Sequence, residues 1–335
     1  MHAIRLHAFG PAENLTYEET EDPVPGPGQV RIAVAAAGVH LLDTALREGM
    51  TGPYPARAVL PTVPGREVAG TVDAVGEGTD DGWLGKRVVT HLGMAPGGYA
   101  ELAVADAARL HEIPASLDPA EAVAMIGTGR TTMGILQFTD IGPDTVALVP
   151  AAAGGIGTLL VQYVKNAGGR VVGLAGGPAK TARVRANGAD LAVDYLRPDW
   201  AATVREFLGG DRRATVLFDS VGGATGRTAV DLLEPGGRHL VFGWSGEGLH
   251  DGEPLAFTEE YVRERAITSE NVLGPAMLSR APGPDPLRTL ETRALAEAAA
   301  GRLRPSVQRF PLAEAAAAHR ALETRGTMGK VVLVP

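Results

Sequence analysis

The architecture of this chain is legible in one stretch, LVPAAAGGIGTLLVQYVKNAGGRVVGLAGGPAKTARV, from Leu148 to Val184. An apolar run leads into a glycine cluster. A segment with helical apolar spacing follows, and then a second apolar run that ends in two glycines. Strand, glycine turn, helix and strand in this order form the setting of a dinucleotide-binding βαβ unit. The turn reads Ala152-Ala153-Gly154-Gly155-Ile156-Gly157. Alanine holds the first position of G-x-G-x-x-G, while Gly154 and Gly157 fit the other two glycines. Gly154 lets the backbone approach a pyrophosphate, and Gly157 lets the helix pack closely on the sheet. The helix N-terminus brings N–H groups and a partial positive charge to the phosphates. Ala153, Gly155 and Ile156 complete the loop. A glycine-rich turn also occurs as a plain packing device; the strand–helix setting is what favours a cofactor here.

An NAD site carries Asp or Glu about 20 residues further on, at the end of the second strand, bonded to the ribose hydroxyls. Here that position falls near Ala175, and the first acidic residue after Gly157 is Asp190. Lys165, Arg170, Lys180, Arg183 and Arg185 lie between. A carboxylate would repel a 2′-phosphate, whereas Gly176, Gly177 and Lys180 accommodate one. The cofactor expected is therefore NADPH rather than NADH. Some of these cations coat an exposed helix face; Lys180 is the best placed of them.

Outward from this unit, strands and helices alternate from Thr145: RVVGLAG, PAKTARVRANGA, LAVDY, TVLFDSVG and GRHLVFGW. This alternation predicts an α/β fold with a doubly wound parallel sheet. Residues 1–110 read differently. GQVRIAVAAAGV (Gly28–Val39), GREVAGTVDAVGEG (Gly65–Gly78), GKRVVTHL (Gly85–Leu92) and GGYAELAVAD (Gly97–Asp106) are short strands between glycine turns. They predict a compact barrel-like β domain. Helical spacing begins at SLDPAEAVAMIGTGRTTMGILQF (Ser116–Phe138), with Asp118 or Ser116 as cap and Pro119 in the first turn. After Gly243, SGEGLHDGEPLAF reads as a loop. LRTLETRALAEAAAG and PLAEAAAAHRALET read as helices, and GKVVLVP as a closing strand.

Composition excludes several classes. The 335 residues suggest one large domain or two, and 45% are hydrophobic but only 5% aromatic, so the core is built of Ala, Val and Leu. The net charge of −8 argues against nonspecific binding to nucleic acid or anionic membrane. There is no cysteine, which removes disulfides, thiolate zinc sites and a cysteine nucleophile together. The first residues lack the apolar core of a signal peptide, and no apolar run is long enough to span a bilayer, so the expectation is a cytoplasmic protein.

Six segments, in order along nearly the whole chain, carry a resemblance. They are AAAGVHLLDTALREG (Ala35–Gly49), PTVPGREVAGTVDAVGEG (Pro61–Gly78), GGYAE (Gly97–Glu101), AAAGGIG (Ala151–Gly157), LFDSVGG (Leu217–Gly223) and AHRALETRGTMGKVVLVP (Ala318–Pro335). The chain resembles the medium-chain dehydrogenases/reductases, specifically the zinc-independent quinone oxidoreductase (zeta-crystallin-like) branch. The resemblance implies a GroES-like β-barrel catalytic domain made of residues 1–119 and 262–335. It implies an inserted Rossmann NADPH-binding domain of residues 120–261, with the active site in the cleft. It further implies a homodimer formed through an edge strand, here RERAITS (Arg263–Ser269).

The resemblance also frames the metal question. Zinc alcohol dehydrogenases carry Cys where His40 stands, His where Arg66 stands and Cys where Gly127 stands. A catalytic zinc needs three protein ligands, and only His40 and Glu67 could contribute, so no metal is expected. Quinone reductases usually carry Asn at the position of His40. A histidine there can hydrogen-bond substrate or donate a proton near neutral pH. The alternative is an imidazole packed beneath the nicotinamide without a chemical role.

By the same resemblance Lys180 and Tyr195 contact the 2′-phosphate and adenosine, with Arg325 reaching in from the C-terminal segment. Thr131 sits near the nicotinamide ribose, and Phe242, Gly243 and Trp244 border the nicotinamide. His40, Asp43, Arg47 and Tyr54 line the substrate side, Tyr54 being the rival proton donor. Asp219 and Arg130 are equally open to structural roles. Without a metal to polarise a carbonyl, a quinone or enone is the acceptor expected. An enoyl-thioester reductase of polyketide or fatty-acid type is an alternative reading, and a low-turnover NADPH-binding protein is another.

Overall fold

The computed structural model describes all residues except 53–55, 94–95, 211–212 and 247–252. The chain forms two units, Met1–Thr128 with Pro305–Pro335, and Gly129–Arg304.

The first unit opens with β1 (His2–Leu6) and β2 (Leu15–Glu19), an antiparallel pair. Then come β3 (Gln29–Val39), α1 (Leu41–Arg47), β4 (Glu67–Val75), β5 (Arg87–His91), β6 (Leu102–Asp106), β7 (His111–Glu112) and α2 (Pro119–Ala124). The four strands expected between Gly28 and Asp106 are all present. β3 alternates buried and partly buried residues over its first half, as a strand with one face on the core does. Its last four residues are all buried, where α2 packs on the same strand.

The second unit carries the alternating pattern read from Thr145. It runs through α3 (Arg130–Ile135), β8 (Val146–Val149), α4 (Gly155–Asn166), β9 (Arg170–Ala175), α5 (Pro178–Ala186), β10 (Leu191–Asp194), α6 (Trp200–Leu208) and β11 (Ala214–Asp219). It continues with α7 (Gly223–Val230), β12 (Leu233–Val241), α8 (Glu259–Glu264), β13 (Thr268–Asn271), α9 (Pro275–Arg280) and α10 (Pro286–Ala299). Its six strands lie in the order β10-β9-β8-β11-β12-β13, all parallel. Numbered within the unit this is 3-2-1-4-5-6, the doubly wound dinucleotide-binding order. The five buried residues of Val171–Ala175 show why: a strand covered on both faces has no polar side to alternate with.

The chain then returns to the first unit with β14 (Val307–Pro311), α11 (Ala315–Glu323) and β15 (Lys330–Val334). The resulting seven-stranded sheet has the order β14-β15-β3-β4-β5-β7, with β6 also paired to β3.

Two expectations are corrected. Residues 262–304, expected in the split catalytic domain, pack in the second unit. β13 adds to the sheet beside β12, and α10 lies against α3, where Glu291 meets Arg130 at 3.0 Å. The presumed edge strand Arg263–Ser269 begins instead as the end of α8, and the edge strand itself starts at Thr268. Among the described residues no helix is long and apolar enough to cross a membrane.

Candidate active site

The turn after β8 is built as its glycines suggest. Ala151 adopts φ 51°, and the Ala152 N–H donates to the Leu174 carbonyl at 3.0 Å, tying the turn to β9. Gly154 is the N-cap of the twelve-residue α4. The first helical bond runs from the Thr158 N–H to the Gly154 carbonyl at 2.9 Å, so the N–H groups of Gly155, Ile156 and Gly157 precede the ladder. A Cβ on Gly157 would overlap the Ala151 carbonyl oxygen, so glycine is required there for close packing. Ala153 is buried and shapes the turn without offering surface of its own. This loop fits a pyrophosphate.

At the end of β9, Gly177 takes φ 85° and Lys180 lies in the first turn of α5. The Tyr195 hydroxyl is 3.7 Å from where a Cβ on Gly176 would be, so Tyr195 and Gly176 are neighbours. One neighbour was not legible from spacing. Asp194, at the end of β10, turns its carboxylate back into this corner, where Oδ1 accepts the N–H groups of Gly177 (2.9 Å) and Leu196 (3.0 Å). The span from Thr158 to Ala189 is free of acid in sequence, but a carboxylate stands beside it in space.

The ends of β11 and β12 meet next. The Phe242 N–H donates to the Asp219 carbonyl at 2.8 Å, a Cβ on Gly243 would lie 2.9 Å from the Ser220 carbonyl oxygen, and the Trp244 Cβ lies 3.5 Å from where one on Gly222 would be. Asp219 is structural: its Oδ1 accepts the N–H groups of Val221 and Gly222, both at 2.9 Å, and its Oδ2 is 3.2 Å from His239 Nε2. Thr131 is the second residue of α3 and half-buried. Arg325, in the first unit, occupies the turn after α11 with φ 57°. Tyr54 lies outside the described residues.

His40 follows directly on β3 and starts α1. Its Nε2 is 2.7 Å from Glu67 Oε1 and 2.7 Å from Lys330 Nζ, and Lys330 Nζ is 2.9 Å from Glu67 Oε2. Glu67 is completely buried, Lys330 nearly so, and the His40 side chain is 33% exposed. Burial alone would push the Glu67 carboxyl up, but His40 and Lys330 outweigh it and hold the group well below the usual carboxylate range.

Asp43 and Arg47, expected on the substrate side, are both buried and serve the scaffold. Asp43 Oδ2 accepts from the His40 N–H (2.8 Å) and from the Tyr99 hydroxyl (2.8 Å), so it positions His40 rather than meeting an acceptor. Arg47 donates to the Gly10 carbonyl at 2.8 Å, to Glu48 and Glu323 at 2.6 Å each, and to His319 Nδ1 at 3.4 Å. Tyr99 and His319 complete this network; both lie in segments that carry the resemblance, but nothing local showed that the fold buries them against Asp43 and Arg47.

The three positions that hold zinc in the metal-dependent dehydrogenases do not fit zinc here. The Lys330 ammonium has no lone pair to give and contacts both side chains that have one, His40 and Glu67. A Cβ on Gly127 would overlap the Glu67 carboxylate, so no larger side chain can enter from that side. Among the described residues no group of three or more His, Cys, Asp or Glu side chains is arranged to hold a metal ion.

Residues 26–115 match the alcohol dehydrogenase GroES-like domain and residues 155–280 match the zinc-binding dehydrogenase family. The chain is 34% identical over 334 residues to a quinone oxidoreductase of Pseudomonas aeruginosa, covering 99% of each protein. It is 33% identical over 338 residues to a 2-haloacrylate reductase of a Burkholderia species, covering 99% of this chain and 98% of that one. Two solved structures are similar over 100% of both chains. One is an NAD-dependent alcohol dehydrogenase (30% identity, TM-score 0.85), the other the Escherichia coli quinone oxidoreductase complexed with NADPH (27% identity, TM-score 0.84). The fold is thus a GroES-like domain joined to a Rossmann domain. The chain belongs to the medium-chain dehydrogenase/reductase superfamily, in its quinone oxidoreductase branch. It is an oxidoreductase that binds a nicotinamide dinucleotide and acts on a small molecule.

Proposed function

We propose that the protein reduces a quinone or an α,β-unsaturated carbonyl compound with NADPH and without a metal ion. One observation carries the reading: His40, one-third exposed, stands on an ion cluster of Glu67 and Lys330 whose donor set does not suit zinc. The group offered to an acceptor's oxygen is then an imidazole N–H. The acceptors named for the two relatives, a quinone and a 2-haloacrylate, are both conjugated, which supports the same class.

When bound, the nicotinamide supplies hydride to the quinone or to the β-carbon of the enone. The Gly154–Gly157 turn holds the pyrophosphate by backbone N–H groups, and Lys180 with Tyr195 holds the adenosine end. Thr131 bonds the nicotinamide ribose, and Phe242, Gly243 and Trp244 border the ring. His40 hydrogen-bonds the acceptor oxygen as negative charge develops on it. A preorganised donor of this kind is worth about 10²–10³ in turnover. We also infer a homodimer built on the edge strand β13; a monomer mass by light scattering would sink that part.

The test is NADPH consumption against quinones, enones, enoyl thioesters and aldehydes, with elemental analysis of the same protein. Quinones or enones should be the best acceptors, zinc should be substoichiometric, and chelator should leave the rate intact. His40→Ala should lower turnover by tenfold or more with little change in NADPH affinity, while His40→Asn keeps a donor and retains most activity. Wild-type rates in His40→Ala together with loss in Tyr54→Phe would transfer the role to Tyr54.

A further inference from the structure

We propose that Asp194 is a specificity-determining residue for the cofactor: its carboxylate stands beside the corner that takes the 2′-phosphate and narrows the preference for NADPH over NADH. The inference rests on the reading that the Gly176–Lys180 corner receives that phosphate. β10 lies beside β9 in parallel register, and the partner of Ala175 is Asp194. Ala175 is the position at which an NAD site carries its acid. The acid missing from β9 is therefore supplied by the next strand. Its side chain turns into the corner: Oδ1 accepts the Gly177 N–H at 2.9 Å and the Leu196 N–H at 3.0 Å. The Tyr195 N–H donates to the Ala175 carbonyl at 3.3 Å, which ties the two strand ends together.

Gly177 is the N-cap of α5, and Lys180 lies in the first turn of that helix. The Gly177 N–H is spent on Asp194, and Pro178 has none to offer. A 2′-phosphate here therefore depends on side-chain charge, where a neighbouring carboxylate counts most. The clamp on Gly177 and Leu196 asks only for an acceptor oxygen, which asparagine offers equally. What aspartate adds is negative charge. That charge repels a phosphate, whereas the 2′-hydroxyl of NADH is neutral and can donate to a carboxylate. Lys180 draws the phosphate in and Asp194 opposes it, so the two residues set the preference between them. Arg197, three residues further on, is exposed and paired with Asp199 at 3.2 Å, so its charge is answered there before it reaches Asp194.

The experiment is a binding measurement on the full-length protein, by fluorescence titration with NADPH and NADH and by calorimetry with 2′,5′-ADP and 5′-AMP. Asp194→Asn keeps the clamp and removes the charge. It should tighten NADPH and 2′,5′-ADP by about threefold or more and leave NADH and 5′-AMP unchanged or weaker. Because the effect is one of charge, the gain should shrink as salt rises from about 0.05 M to about 0.5 M. Asp194→Ser also keeps an acceptor and serves if the asparagine variant does not fold. An unchanged ratio of the two cofactor affinities overturns the proposal, as does equal weakening of both, which would make Asp194 a clamp alone. A wild-type protein that binds neither dinucleotide would remove the cofactor reading and this inference with it. A shifted ratio in a protein that reduces neither quinones nor enones would leave the inference standing and remove only the acceptors proposed above.

Discussion

A carboxylate in the position of Glu67 shows how single residues acquire their roles. It has no exposure and is held by an ammonium that comes from 263 residues further along the chain (Glu67 to Lys330). His40 could be singled out in the sequence because it replaces the residue usual at its position; Lys330 could not, because a lysine opening a terminal strand has no local signature. Lys180 is the opposite case, a residue whose setting was legible. It lies in the first turn of α5 beside the Gly176–Gly177 corner, where Asp194 spends one oxygen on two backbone N–H groups. A charge-assisted bond to phosphate is worth about 1.5–3 kcal/mol. Lys180→Ala should therefore weaken NADPH by about tenfold or more and leave NADH binding unchanged. Fluorescence titration with both cofactors checks this, and equal affinities of the wild type for both would count against NADPH.

Helix starts were the most legible elements, because caps are local. Asp118 or Ser116 as cap, with Pro119 in the first turn, predicts the start of α2; the structure selects Asp118, with Pro119 first in the helix and a reciprocal capping box. Asp118 Oδ1 accepts the Glu121 N–H at 2.9 Å, and Glu121 Oε2 accepts the Asp118 N–H at 3.1 Å. The Asp118 Oδ2 also pairs with Arg309 at 2.7 Å, but that contact is exposed and adds little. Asp118→Ala should cost about 1 kcal/mol, read as a lower denaturant midpoint with an unchanged slope. What the local pattern could not show is that this helix continues into a five-residue π-helical turn, Met125–Gly129, which sets Gly127 against Glu67. Such a register change has no sequence period of its own, and a wide turn of this kind is a recurrent companion of functional sites. The edge strand was misplaced for a related reason. Arg263–Ser269 is polar, and its choice between helix end and strand is made by pairing with β12 at Arg238↔Thr268.

The pH dependence of stability belongs to the whole molecule, since it reads a network drawn from distant segments. His319 is fully buried, and burial, aided by Arg47 and opposed by Asp43, lowers it to about 4. Its Nδ1 accepts from Arg47, and its Nε2 is 3.3 Å from the Tyr99 hydroxyl that donates to Asp43. The unfolded chain takes up this proton near pH 6.5 and the folded one only near 4, so the unfolded state binds more protons between. The stability contributed by neutral His319 is complete above about pH 6.5 and is lost as pH falls toward 4, by roughly 3 kcal/mol in all. Glu67, held low, adds a loss of the same sign at lower pH. Unfolding midpoints between pH 7.5 and 4.5 should fall steeply in the wild type and more gently in His319→Gln. Parallel curves would place the dependence elsewhere.

The layer order, the cofactor loop and the β-rich first unit followed from local chemistry: apolar runs covered on two faces, glycines where a Cβ would strike a carbonyl, caps where helices begin. These depend on neighbours a few residues apart, and a linear pattern records such neighbours. The second domain boundary, the scaffold roles of Asp43 and Arg47, the carboxylate of Asp194 beside the presumed phosphate corner, and the Glu67–Lys330–His40 cluster came only with folding. Each depends on which strand lies beside which, and on whether a buried charge finds a partner. Burial removes water as the alternative partner, so the free energy of a charged side chain is set by whichever distant residue the sheet brings within 3 Å, and no spacing in the sequence encodes that distance.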